Sequence, residues 1–295
     1  MPEVVVPCRD LDAAVAAFGA LGFAIDLVVP ADNPTTIVVV APTGGRIRLV
    51  RDDPGDVRVA DPLVVPLATP RLHAPAVIIT RAAASTWHPG RAGMAYRDLV
   101  PDRLGGWLVA SHIRIADGGP VRDYVHFHDV GAQILYCRTG WVRVVYEDQG
   151  EPLVMSAGDV IVQPPHIRHR VLECSPGVEV IEVATPAVHA TYADRALALP
   201  TAARAPERRW RGQRFLHHRH PDIDLAAALG PGWRAGVVDA RAPRTHATAA
   251  LVFGFVLSEA TLDTRALSRD DAFCIPPDTT YTLTGEVFEL ELVTA

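Results

Sequence analysis

The chain has 295 residues, a formal charge of −6 and a pI of about 6.0, with 49% hydrophobic and 21% charged residues. That is globular composition, long enough for about two or three domains, and the acidic balance excludes a polyanion-binding surface built on clustered cations. All 28 basic residues are Arg; the absence of Lys excludes P-loop, kinase-type and Schiff-base lysine chemistry. Ala-, Arg- and Pro-rich usage without Lys points to a GC-rich bacterial genome. The longest apolar run, Ala249 to Leu257, is far short of the ~20 residues of a spanning helix. Met-Pro-Glu-Val at the start lacks the basic and apolar regions of a secretory signal. Cys8, Cys137, Cys174 and Cys274 are widely spaced, which reads as reduced thiols in a cytoplasmic protein.

In chain order, Glu3–Cys8 reads as a strand and Leu11–Leu21 as a helix, with Asp10 as N-cap and Gly22 as its stop. Phe23–Val29 reads as a strand, and Thr35–Val40 with Arg46–Arg51 as a hairpin across Pro42-Thr-Gly-Gly45. This order, and the wording Asp10-Leu-Asp-Ala-Ala-Val-Ala-Ala-Phe-Gly-Ala-Leu-Gly-Phe23, resembles one βαβββ module of the vicinal-oxygen-chelate (glyoxalase-like) superfamily over about 50 residues. Metal-binding members carry His on the first strand and Glu on the last. Here those strands offer Val4, Val5 and Val6, then Arg46, Ile47, Arg48 and Leu49, so the module reads as metal-free. It is expected to serve in packing or interaction.

From Trp107 to Val183, short apolar runs alternate with turns such as Asp117-Gly-Gly-Pro120, Asp148-Gln-Gly150 and Gln163-Pro-Pro165, the pattern of a β-sandwich or barrel. Within it stands Tyr124-Val-His126-Phe-His128. Side chains at i and i+2 on a strand share a face, so both imidazoles aim inward. Gln133 opens the partner strand, and His169 starts another after the Pro-Pro turn. Three imidazoles can hold a transition metal with positions left for substrate.

The spacing resembles the two motifs of the cupin superfamily. The first reads His-x-His, four residues, Glu, six residues, Gly; here His126, His128, Gln133 and Gly140 keep both gaps. The second reads Gly, five residues, Pro, x, Gly, two residues, His, three residues, Asn; here Gly158, Pro164, His166 for the Gly, His169, and Glu173 for the Asn. The resemblance implies a mainly β protein of cupin jelly-roll domains, preceded by the small α+β module. The expected division is a glyoxalase-like module at 1–80, a metal-binding cupin with its connector at 81–190, and a connector with a degenerate cupin at 191–295. In the last, Thr245-His246-Ala-Thr248, Phe253 and Tyr281 fall on the ligand positions, a set that cannot rebuild the site.

The implied centre is one divalent ion on His126, His128 and His169, with Gln133 as fourth ligand or as partner of a bound water. Fe(II) is favoured, with Zn, Ni, Mn or Cu open. A neutral Gln leaves the site formally +2, suited to an anionic or enolisable small molecule. Glu173, four residues after His169, is the candidate general base; Cys137 shares parity with Gln133, and His166 is placed at the rim. The resemblance implies a dioxygenase-like enzyme on an oxygen-chelating substrate. The alternatives are a metal-dependent cyclase or isomerase, some cupin cyclases being similar in placing Gln near the metal, and a non-enzymatic ligand-binding cupin. A homodimer is expected, with no nucleic-acid or membrane partner.

Overall fold

A computed structural model describes residues 2–68, 70–90, 93–219 and 222–294, with the side chains of all but 222, 241, 244 and 246–248. Glu3–Cys8, the Leu11–Ala20 helix, and the strands Ala24–Val29, Thr36–Val40 and Arg46–Arg51 follow in the order read from the sequence. The Asp10 carboxylate caps the helix by accepting the Ala13 N–H at 2.9 Å. Gly22, at φ +85°, takes the left-handed position that ends it. The helix buries Leu11 and turns Val15 and Phe18 toward Val28, Val39 and Leu49 of the sheet. Glu3–Cys8 runs parallel to Arg46–Arg51, while the other pairings are antiparallel.

This small sheet continues into the middle of the molecule. Ala24–Val29 pairs with Thr191–Ala193, which pairs with His126–His128, then His169–Cys174, Trp141–Tyr146 and Leu153–Ser156. A second sheet faces it. Its strands run in the order Leu216–His218, Val160–Val162, Ala132–Thr139, Val178–Thr185, Val109–Ile115 and Ala95–Asp98. The two make a jelly roll. The N-terminal module thus covers the edge beside the His126–His128 strand, the cover an isolated βαβββ sheet needs.

The last segment forms its own antiparallel sheet, in which the 15-residue strand Arg234–Thr248 and the 14-residue strand Thr279–Leu292 are the long elements. Ile78–Thr80 pairs with Ala272–Ile275 at its edge, so the first connector is stitched to the far end of the chain. The jelly roll's second sheet is buried on both faces. Ile134, Tyr136 and Ile181 point away from its interior into one core with Phe253, Phe255 and Leu290, and the Tyr136 ring stacks on Phe288 at 4.2 Å. No helix among the described residues is long and apolar enough to cross a membrane.

A polar clamp crosses the same junction. Arg138, 6% exposed, reaches Glu179 at 2.9 Å on the neighbouring strand and Asp270 in the last segment. His112, buried against Trp87 and Phe255, accepts from Arg97 on Nδ1 at 3.0 Å and donates from Nε2 to Glu179 at 3.1 Å. Burial keeps this imidazole neutral by pushing its pKa down. Burial pushes the Glu179 carboxyl up, but the hydrogen bonds from His112 and Arg114 and the charge of Arg138 outweigh it and hold the group at about 2. The unfolded carboxyl titrates near 4.5. The clamp's contribution is therefore complete above about pH 5 and lost as pH falls toward 2, for a total on the order of 2–3 kcal/mol. Glu179→Gln should remove that part of the acid dependence, leaving a flatter urea-midpoint profile from pH 5 to 3. An unchanged slope would remove Glu179 from the acid-sensitive groups.

Candidate metal centre

His126 and His128 lie on one short strand, two residues apart and on one face. His169 opens the neighbouring strand and pairs across it with His126. The Pro-Pro turn sets that start: His166 takes the motif's Gly position at φ +66°, a left-handed conformation that Gly adopts freely and His rarely. All three imidazoles are buried, and one ligand nitrogen of each falls within 4.8 Å of the others. Ring centroids stand 4.2 Å apart for His126 and His169, and 5.2 Å for each of the other pairs.

Hydrogen bonds fix which nitrogen each ring presents. His126 Nδ1 lies 2.7 Å from the Tyr124 carbonyl, and His169 Nδ1 lies 3.1 Å from the Ile167 carbonyl. A carbonyl only accepts, so both Nδ1 atoms carry the proton and both Nε2 atoms keep a lone pair. His128 Nδ1 is 2.8 Å from the Thr191 hydroxyl, a group able to accept in the same way. Asp123, buried three residues before His126, sets an oxygen 3.5 Å from its Nδ1 and accepts the Val171 N–H. The donor set fits a metal: three neutral imidazoles, each held from behind. Asp123 and Thr191 escape a search for ligand spacing, because their partners are ring nitrogens facing away from the centre.

The centre opens on a cavity with about 90 Å³ open to the centre of a water-sized sphere, room for several waters or a small organic molecule. Gln133 stands on its wall, as its parity required. Its amide is engaged on both sides: Oε1 accepts from Gln163 Nε2 at 2.8 Å, and Nε2 donates to Glu182 at 2.9 Å. Tyr146 closes the other end by donating to Gln163 Oε1 at 2.9 Å. Burial, joined by the Glu182 charge, pushes the Tyr146 phenol up, so it keeps its proton. A phenol that donates at one end and a carboxylate that accepts at the other orient both amides between them. The Gln133 oxygen retains one lone pair.

Glu182 is the cavity carboxylate that sequence reading missed. Its signal was an acidic residue on the inward parity that Val178 and Val180 otherwise hold. Glu173, the base expected on spacing, lies elsewhere. Arg143 pairs with it and Val144 pairs with Val171, so Leu172 is an extra residue on that strand. The bulge breaks the i+4 parity with His169, and Glu173 ends in a half-exposed ion pair with Arg143 at 2.8 Å. Cys137 turns its thiol to the Thr139 and Gly140 carbonyls, and burial pushes it up to about 12, which leaves it inert. His166 sits at the rim, paired with Asp129 at 2.7 Å.

His189, uninformative as a single histidine in the sequence, lies near the centre: its ring is 5.9 Å from that of His128, its Nδ1 bonds the Pro186 carbonyl, and burial pushes its pKa down. In the last segment His246 pairs with Tyr281 across the strands, as His126 pairs with His169. Phe253 pairs with Cys274, the place Ile134 holds opposite Val162. The counterpart of Gln133 is therefore Val252, one residue earlier than the sequence alignment put it. The His246 side chain and His220 lie outside the described residues.

No family model and no curated protein matches the chain. Solved structures share its fold. A deletion mutant of Bacillus subtilis oxalate decarboxylase aligns with a TM-score of 0.54 at 12% identity, over 73% of this chain and 76% of that one. Another structure of that enzyme, studied for its Mn(II) centres, gives the same values. Ylba from E. coli, described by the family model DUF861, aligns with a TM-score of 0.52 at 11% identity, over 77% and 94%. The likeness establishes a mainly β fold of cupin-type jelly rolls. It gives no support to a glyoxalase-like reading of the N-terminal module, of which the element order alone is observed.

Thr191→Val removes the acceptor behind His128 at nearly constant volume. It should weaken metal binding by roughly 10–100-fold, as read by competition with a chromophoric chelator, whereas Thr191→Ser should restore it. Equal affinities in all three proteins would remove Thr191 from the site.

Proposed function

We propose that the chain is a metal-dependent enzyme of cupin fold acting on a small oxygen-chelating organic molecule, with one divalent ion held by His126, His128 and His169. The observation that carries this reading is the convergence of three neutral, buried Nε2 atoms, each fixed from behind, on the wall of a mostly apolar cavity. An ion bound there supplies Lewis acidity and, if it is iron, oxygen chemistry. Fe(II) is the first choice for an oxygenase. Manganese gains standing from the Mn(II) centres named for the fold neighbour.

The chain's own groups do the rest. The hydrogen bonds at Nδ1 orient the three imidazoles toward the centre. Gln133, held by Gln163 and Glu182, either coordinates through its remaining lone pair or orients a ligand oxygen. The apolar walls exclude water from the reacting group. A dioxygenase-like reaction is the first reading. A non-redox cyclase or isomerase is the second, favoured by one observation: Glu182 places a carboxylate, the usual proton acceptor, on the cavity wall apart from the imidazoles. The N-terminal module serves as a packing unit, and the protein works in the cytoplasm as a homodimer.

Metal analysis of protein purified without added metal should give one equivalent per chain, and none in a His126→Ala/His128→Ala variant. Full occupancy in that variant would end the assignment. Turnover with the native metal under strict anaerobiosis then separates the chemistries: loss of turnover supports the oxygenase, and unchanged turnover replaces it with the cyclase or isomerase.

A further inference from the structure

A second cleft lies away from the histidines, where the two connectors and the last segment meet the end of the jelly roll. Trp107 and Trp233 stand on its walls with Leu72 and Leu229, all four packed into the core that the jelly roll shares with the last segment. Gly131 and Ala132, in the turn that leads from His128 to Gln133, line it as well. Gln213 pins that turn by donating from Nε2 to the Gly131 carbonyl. About 650 Å³ of the cleft is open to the centre of a water-sized sphere, several times the space beside the histidines and within the size range of small-molecule sites.

The lining has a definite chemistry. Among the described residues no carboxylate lines the cleft, and its one charged side chain is Arg71, exposed and held in no ion pair. Two indoles flanked by aliphatic side chains favour a flat aromatic body, which they remove from water. A guanidinium with open donors favours a carboxylate, which it meets through two parallel N–H groups. A second carboxylate on the ligand would find no second cation in the cleft, only apolar walls.

We propose that this cleft is a second binding site, for a small aromatic carboxylate with one negative charge. The ring seats against Trp107 and Trp233, and Arg71 takes the carboxylate. The site is independent of the metal reading, since none of His126, His128 and His169 lines it. It is nonetheless a neighbour of the metal centre along the chain: an occupant touches the turn that joins His128 to Gln133.

The test is calorimetric titration of the full-length protein, as purified, with 2-naphthoate and with its neutral counterpart 2-naphthylmethanol. One equivalent of naphthoate should bind with a Kd on the order of 0.1 mM, and the alcohol should bind several-fold more weakly. Arg71→Glu, at an exposed position, should weaken naphthoate roughly tenfold and leave the alcohol unchanged. Val293→Trp adds bulk at a rim residue that is 37% exposed, and should weaken both probes at least tenfold. Excess EDTA should change neither affinity. Naphthoate binding lost with EDTA would put the carboxylate on the metal centre and overturn the cleft as its site. No binding at millimolar naphthoate, or equal naphthoate affinity in the parent and Arg71→Glu proteins, overturns the proposal as well, and so does undiminished binding of both probes by folded Val293→Trp protein.

Discussion

The site depends on one cross-strand pair. His126 and His169 face each other across antiparallel strands, and His128 joins them because strand side chains alternate with a period of two. A slip of one residue in either strand would turn an imidazole out of the jelly roll. The register is held on both sides: Tyr146 pairs with His169 on the next strand, and Thr191 pairs with His128 on the other. The Thr191 strand supplies at once a ladder neighbour and the hydroxyl behind His128. That strand is in turn backed by Ala24–Val29 of the N-terminal module. The N-terminal module thus belongs to the frame that sets the histidine geometry.

The opposite wall is constrained differently. Ala132–Thr139 and Val178–Thr185 have no solvent face. On one side Gln133, Leu135, Val180 and Glu182 line the cavity, and on the other Ile134, Tyr136 and Ile181 enter the core shared with the last segment. A strand buried on both faces tolerates no shift of parity, since every residue then moves into the wrong environment. The clamp through Arg138, Glu179 and Asp270 adds directional bonds to that junction.

How much of this could be read from the sequence follows from where the information lies. Ligand spacing is a local property, and His126, His128 and His169 were legible from two fixed gaps. The helix at Leu11–Ala20 and the strands around it were legible from caps and periodicity. Glu173 was misplaced because one extra residue, Leu172, reverses parity, and nothing in the local composition announces a bulge there. Thr191 and Gln163 were invisible for another reason: each matters through a partner far along the chain. The shift from Phe253 to Val252 has the same origin, since an alignment of repeats counts residues and a ladder counts pairs.

The central jelly roll and the sheet of the last segment differ in what fills them. One holds a void beside its histidines. In the other, Val252, Val256, Phe273, Tyr281 and Val287 pack into one core, and Gly254 has no room for a methyl group because the Phe273 ring lies over it, 2.1 Å from where a Cβ would stand. An internal space forfeits contacts that a filled interior keeps, at roughly 20 cal/mol per Å² of cavity surface in engineered cases. Two packed units can divide that burden: one stays hollow, and the other, with a filled interior, stands as a solid buttress against the hollow unit's outer wall.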